Sequence, residues 1–347
     1  VIIDAHAHIV VAQATRGDDS GESWRPLLER GGQVSVIHSD GRPLTSAVGE
    51  FVDPHLMLAQ AGAQGVDHLL LSPWVRLLPF DRERQEAIRI CRIQNEALAG
   101  LIAADPGHLS ALGAVPLQDP ALAARELATA RDMGLAGVEI LASVAGSYLG
   151  DERFEPFWGA AEETGSVIFV HPTTRGLAMP VFEEFYLWNS VANPLETAIA
   201  GSHLVLSGVL ERHPKLAIVL AHGGGALWSV RGRLRRAYAQ QPSARSRLNE
   251  SPDDSLARLY FDSVTHDPAL LARLVEDAGA DHVLLGSDRP FDMGSDDPVG
   301  EVRGLGLAPE LEAMVLGGNA QRLMGRTTST EAADAAVAGT PASGGHR

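Results

Sequence analysis

Eight short apolar runs alternate with longer stretches of helical periodicity along the 347 residues, and few architectures accommodate that rhythm. The runs fall at residues 2–9, 68–73, 109–117, 136–142, 166–172, 216–222, 259–266 and 282–288. Most are near-continuous, as in Leu69-Leu70-Leu71 and Val167-Ile168-Phe169-Val170. Strands buried on both faces have that character, which is the pattern of a parallel sheet covered by helices. Between them, Ile90, Ile93, Ala97 and Leu101 mark one face of a helix over 81–104. Asp53-Pro54, Asp119-Pro120, Asn193-Pro194 and Asp267-Pro268 each pair a capping side chain with proline at the first helical position. Glu196, three residues after Asn193, has the spacing of a capping box.

Eight β-then-α units predict an α/β chain folded as a (β/α)8 TIM barrel, with a doubly wound open sheet as the competing arrangement. The expected barrel spans 1–326. It carries an insertion over about 10–52, where residues 33–38, a Ser39-Asp40-Gly41 turn and a short return predict a small β-hairpin after the first strand. Residues 327–347, rich in Ala, Ser, Thr and Gly, are expected to form a disordered tail.

The strand ends favour the barrel, because catalytic groups gather at the C-terminal ends of its strands. The first run closes with His6-Ala7-His8, whose imidazoles share one face. The fifth ends in His171, the sixth in His222 before Gly223-Gly224-Gly225, and the eighth in Asp288. Four imidazoles and a carboxylate converging on one mouth are the donors a divalent metal such as zinc takes in a hydrolytic or lyase site. A buried, hydrogen-bonded histidine is the commoner explanation for any one of them alone; five at four strand ends point to a metal.

Composition narrows the chemistry. Net charge is −16, with 44 acidic against 28 basic residues, which repels nucleic acid in the absence of a basic stripe. Lys215 is the single lysine and lies before the sixth strand, at the end of the barrel away from the mouth, which argues against a lysine-bridged pair of metals. The single cysteine, Cys91, excludes an intrachain disulfide and a multi-cysteine zinc site. No apolar run approaches the roughly 20 residues of a bilayer span, so no membrane partner is expected. Without a basic leader or cleavage site at its start, the chain is expected in the cytoplasm.

These motifs resemble the metal-dependent amidohydrolase superfamily, and within it the branch of aminocarboxymuconate-semialdehyde decarboxylase and related nonoxidative decarboxylases. The resemblance rests on His6-Ala7-His8, Phe169-Val170-His171-Pro172, Ala221-His222-Gly223-Gly224-Gly225 and Gly286-Ser287-Asp288. Pro194-Leu195-Glu196-Thr197, His213-Pro214-Lys215-Leu216, His266-Asp267-Pro268 and Gly318-Asn319-Ala320 extend it over nearly the whole chain except the tail. It implies one metal, usually zinc with manganese as an alternative, held by His6, His8, His171 and Asp288. It makes His222 the catalytic histidine, with Asp288 also able to contact a water. A homodimer and a small carboxylic acid substrate are implied too. The implied reaction is a carboxy-lyase decarboxylation, with hydrolysis or hydration by the same five residues as the alternative.

Substrate contacts are less marked. Arg42 in the insertion, Arg76 past the second strand, Arg175 after His171 and Trp188 stand where an acid could be clamped or stacked. Glu139 at the fourth strand end is a polar break in an apolar run. His266 at the end of the seventh run is expected as a neighbour of a helix cap in preference to a residue supporting the metal ligands. Arg289 replaces an aromatic residue frequent in the family, and is expected to reach either a carboxylate beneath the site or the substrate. Val48 and Gln241 fall near positions where the muconate-semialdehyde enzyme carries substrate-binding arginines, so its substrate does not carry over.

Overall fold

A computed structural model describes residues 1–17, 22–30, 35–39, 42–44, 48–173, 177 and 179–325. Eight parallel strands form one sheet in chain order: β1 Ile3–Ile9, β2 His68–Pro73, β3 Leu109–Gly113, β4 Gly137–Leu141, β5 Val167–His171, β6 Ala217–Leu220, β7 Tyr260–Asp262 and β8 Val283–Leu284. The helices between them include α1 Pro54–Ala63, α2 Arg84–Ala104, α3 Pro120–Asp132, α4 Glu155–Thr164, α5 Asn193–Leu206, α6 Leu227–Gln240 and α7 Pro268–Ala278. The sheet closes between its ends. Ala7 bridges Arg289 in parallel, and Ala5 N, Asp288 N and His8 N donate to Leu285 O, His6 O and Arg289 O at 2.8–2.9 Å. The fold is the (β/α)8 barrel, and the open sheet is set aside.

All eight predicted strands exist, but six stop short of their expected C-terminal ends. The cause lies in the last residues, which leave the ladder to build the mouth. His222, His266 and Asp288 adopt left-handed φ of 56°, 54° and 59°, which no strand accommodates. Helix α2 begins at Arg84 rather than 81, and Ala87, Ile90, Cys91, Gln94 and Leu98 form its buried face. Ile93, Ala97 and Leu101 are half-buried beside that face, against the core.

Asp53, Asp119 and Asp267 cap their helices, their side chains accepting first-turn backbone N–H groups. The expected Asn193 cap and Glu196 capping box are not formed. A π-turn over Trp188–Ala192 leads straight into α5, so Asn193 is already helical and has no free first turn to cap. Glu196 instead accepts hydrogen bonds from Ser143 Oγ at 2.9 Å and Thr173 N at 2.7 Å, with Thr173 Oγ1 also bound.

The insertion is larger than a hairpin: Leu27–Arg30, Ser35–Ser39 and Arg42–Leu44 form a three-stranded antiparallel sheet. The predicted strand and return are the second and third of these; Asp40 and Gly41 of the turn lie outside the described residues, as do Arg175 and 327–347. A second small hairpin, Ser143–Val144 with Ser147–Tyr148, follows β4 and was not signalled by any turn dipeptide.

Candidate metal centre

Local backbone chemistry on β1 sets the first two ligands. The pairing of β1 with β2 shifts register between Asp4 and Ala7, and the His6 N–H donates to its neighbour Asp4 Oδ1 at 3.1 Å. Such a bulge re-aims side chains without ending the strand. His6 and His8 both turn inward, essentially without solvent exposure, and their Nε2 atoms stand 3.0 Å apart. Asp288 Oδ1 lies 3.3 Å from each of those nitrogens. His171 packs edge-on against His8 with ring centroids 4.9 Å apart.

Donor atoms of His6, His8, His171 and Asp288 all fall within 4.8 Å of one another. His171 Nε2 and Asp288 Oδ1 are shut off from water and have no hydrogen-bond partner among the described residues. Orphaned acceptors in a buried cluster are costly unless a cation satisfies them. Three imidazoles and a carboxylate fit one divalent ion.

The charges within the cluster point the same way. Burial alone would depress His6, but the Asp288 and Asp262 carboxylates outweigh it and lift the imidazole to about 10. Burial would raise Asp288; the charge of the adjoining His6 and the imidazole nitrogens of His222, His6 and His8 at 3.3 Å hold it well below the usual carboxylate range. Burial, with the neighbouring imidazoles, drives His171 well down. The carboxylates thus draw positive charge into the cluster while two of its imidazoles resist protonation.

His222 is set on the rim. Its Nε2 lies 3.3 Å from Asp288 Oδ2, the oxygen turned away from His6 and His8. Its left-handed backbone is held by Asp262, which accepts the His222, Gly223 and Val264 N–H groups at 2.8–3.1 Å. The same carboxylate accepts His6 Nδ1–H at 2.6 Å, which leaves His6 Nε2 facing the ligand cluster. Gly225 shows why glycines follow: at φ +58°, its Cβ would stand 2.2 Å from Pro194 O.

Two buried carboxylates, Asp262 and Asp4, were missed by sequence reasoning. Asp4 accepts Ser287 N at 3.0 Å and Arg289 Nε at 2.9 Å, tying β1 to the segment carrying Asp288. Arg289 therefore meets a carboxylate beneath the site, with Gln64 Oε1 accepting from its Nη2 at 2.7 Å. Glu139 is fully buried behind His8, with Oε1 3.8 Å from His8 Nδ1, and burial pushes its pKa well up.

The candidate substrate contacts diverge. A cavity of about 680 Å³ opens from Asp288 and His222 past Trp228, Thr265 and His266. Arg76 lies over the Trp74 ring, 5.7 Å from its centroid, and does not line this cavity. Trp188 rests edge-on against Tyr186, and its neighbours Asn189 and Ser190 line the cavity in its place. Arg42 contributes backbone to the insertion sheet. His266 adjoins the Asp267 cap, as expected, yet is exposed to the cavity.

With that geometry in view, the amidohydrolase family model matches residues 3–326, and the chain belongs to this family. It is 27% identical over 338 residues to the 2-amino-3-carboxymuconate-6-semialdehyde decarboxylase of Dictyostelium discoideum, covering 93% of this chain and 91% of that protein. Among solved structures, the 5-carboxyvanillate decarboxylase of Sphingomonas paucimobilis shares the fold, with a TM-score of 0.76 and 24% identity over 94% of this chain and 99% of its own. A dihydroxybenzoic acid decarboxylase from Polaromonas, solved with bound manganese, gives 0.75 and 20% over 93% and 96%.

Proposed function

We propose that this chain is a metal-dependent nonoxidative decarboxylase of a small unsaturated or aromatic carboxylic acid. The observation that carries the reading is the cluster of four donors within 4.8 Å, with the His222 imidazole alongside it in the lining of an open cavity. The names of the relatives support the reaction type.

In this reading His6, His8, His171 and Asp288 hold one divalent ion, which supplies Lewis acidity and positive charge when bound. Zinc is the first choice for this donor set, and manganese is the alternative. His222, through Nε2 beside Asp288, takes and returns a proton. Decarboxylation breaks the bond between the substrate carbon and its carboxylate. The electron pair stays on that carbon, carbon dioxide leaves, and the proton adds in its place. Asp262 keeps His222 and His6 in register during that exchange.

The catalytic unit in this reading spans 1–326, acts as a homodimer and resides in the cytoplasm. No described helix is long and apolar enough to cross a membrane. Product analysis of the metal-loaded protein with hydroxybenzoates and carboxymuconate semialdehydes tests the reaction. Carbon dioxide is expected. Hydrolysed or hydrated products formed without it would replace lyase chemistry with hydrolysis or hydration.

A further inference from the structure

Six non-glycine residues among those described carry a left-handed φ, and three of them lie in the turns just beyond the adjacent strands β6, β7 and β8: His222, His266 and Asp288. All three line the same cavity. Two are already accounted for by the metal centre and its neighbouring base. His266 is not.

Its conformation is held from both sides. Thr265 Oγ1 donates to Asp267 O at 3.1 Å, and Asp267 Oδ1 accepts Ala269 N and Leu270 N at 2.8 and 3.2 Å. The backbone at φ +54° is therefore imposed on a residue type that seldom adopts it, a cost that persists where the surroundings over-determine it. The imidazole gains no hydrogen bond in return among the described residues; it is exposed in the wall of the cavity. Another wall is Trp228, whose buried Nε1 also has no acceptor among the described residues. At about 680 Å³ the space is of a size that encloses a whole ligand, more than the carboxylate end of an acid held at His222 would fill.

We propose that His266 is a specificity-determining residue that hydrogen-bonds an oxygen substituent on the end of the acid remote from its carboxylate, in the cavity arm between Trp228 and Thr265. This deepens the decarboxylase reading and rests on it for the orientation of the acid. A matched pair of probes isolates the contact: a salicylate with a para hydroxyl, against salicylate itself. Calorimetry on the metal-loaded protein is expected to show the para-hydroxy acid bound about tenfold more tightly, the worth of one hydrogen bond in a partly enclosed site.

His266→Gly separates this role from a structural one, because glycine suits a left-handed backbone while removing the ring. The expected result is loss of the tenfold preference, with salicylate affinity changed less than twofold and Tm unchanged or raised. Equal weakening of both acids, a preference that survives the substitution, a fall in Tm, or failure of the native protein to bind either acid would overturn the proposal. Carbon dioxide release is scored separately. Its absence alongside the expected binding pattern would sink the decarboxylase reading and leave the His266 contact standing.

Discussion

At the residue scale, the site depends on how each nitrogen is aimed. His222 is the only imidazole of the four whose Nε2 faces Asp288 Oδ2. His222→Ala should therefore lower turnover by about 10²–10⁴-fold, the usual worth of a positioned acid–base group, while metal content stays at one ion per chain. Steady-state kinetics with metal analysis on one preparation checks both halves. Asp262→Asn should act differently. An amide at that position turns NH2 toward the His222 or Gly223 N–H, or toward His6 Nδ1–H, each of which now donates to it. Metal affinity should fall about 10–100-fold, the typical cost of losing a partner that orients a ligand, as read by competition with a chelator. The ligand histidines were legible in the sequence because period-two spacing and strand-end position are local properties. Asp262 was not: its partner His6 is 256 positions away, and a carboxylate closing a three-residue strand looks like any surface acid.

At the element scale, the strands and most helix starts could be read from the chain, because burial on both faces and Asp-Pro capping are written in adjacent residues. The ends of strands could not, because left-handed turns at His222, His266 and Asp288 follow from tertiary hydrogen bonds rather than from residue type. The failed cap at Asn193 teaches the same lesson, since the π-turn before it has no sequence signature of its own. The contrast is measurable. Asp119→Ala should cost about 1 kcal/mol in chemical denaturation, the ordinary value of an N-cap. Glu196→Ala should cost more than a cap does, because it removes a buried carboxylate and strands the half-buried hydroxyl and N–H donors of Ser143 and Thr173 beside β5. Gly225→Ala should be more damaging still, at about 3 kcal/mol, since both its φ of +58° and the nearby Pro194 carbonyl exclude a Cβ.

At the scale of the whole molecule, closure of the barrel and assembly of the site are one event. Asp288 N donates to His6 O, and Asp4 reaches across to Ser287 and Arg289, so the seam between the first and last strands carries three of the four proposed ligands. A bound ion would tie that seam to β5 through His171. Removing the metal with a chelator should accordingly lower Tm as well as abolish activity, and restoring zinc or manganese should recover both, because an ion that binds only the folded chain stabilises it by mass action. The barrel was predictable from the eightfold rhythm together with the polar residues gathered at the strand ends; the rhythm alone also allowed an open sheet. The three-stranded insertion was only half legible, since its first strand, Leu27–Arg30, reads Leu-Leu-Glu-Arg and is too short and too little alternating to signal a strand, although Gly31-Gly32 follows it. The most direct test of the central claim is release of labelled carbon dioxide from a carboxyl-labelled hydroxybenzoate or carboxymuconate semialdehyde by metal-loaded, metal-stripped and His222→Ala protein. The account predicts release from the first alone. Release that persists without metal or without His222, or metal-loaded protein that turns such acids over without releasing label, would contradict it.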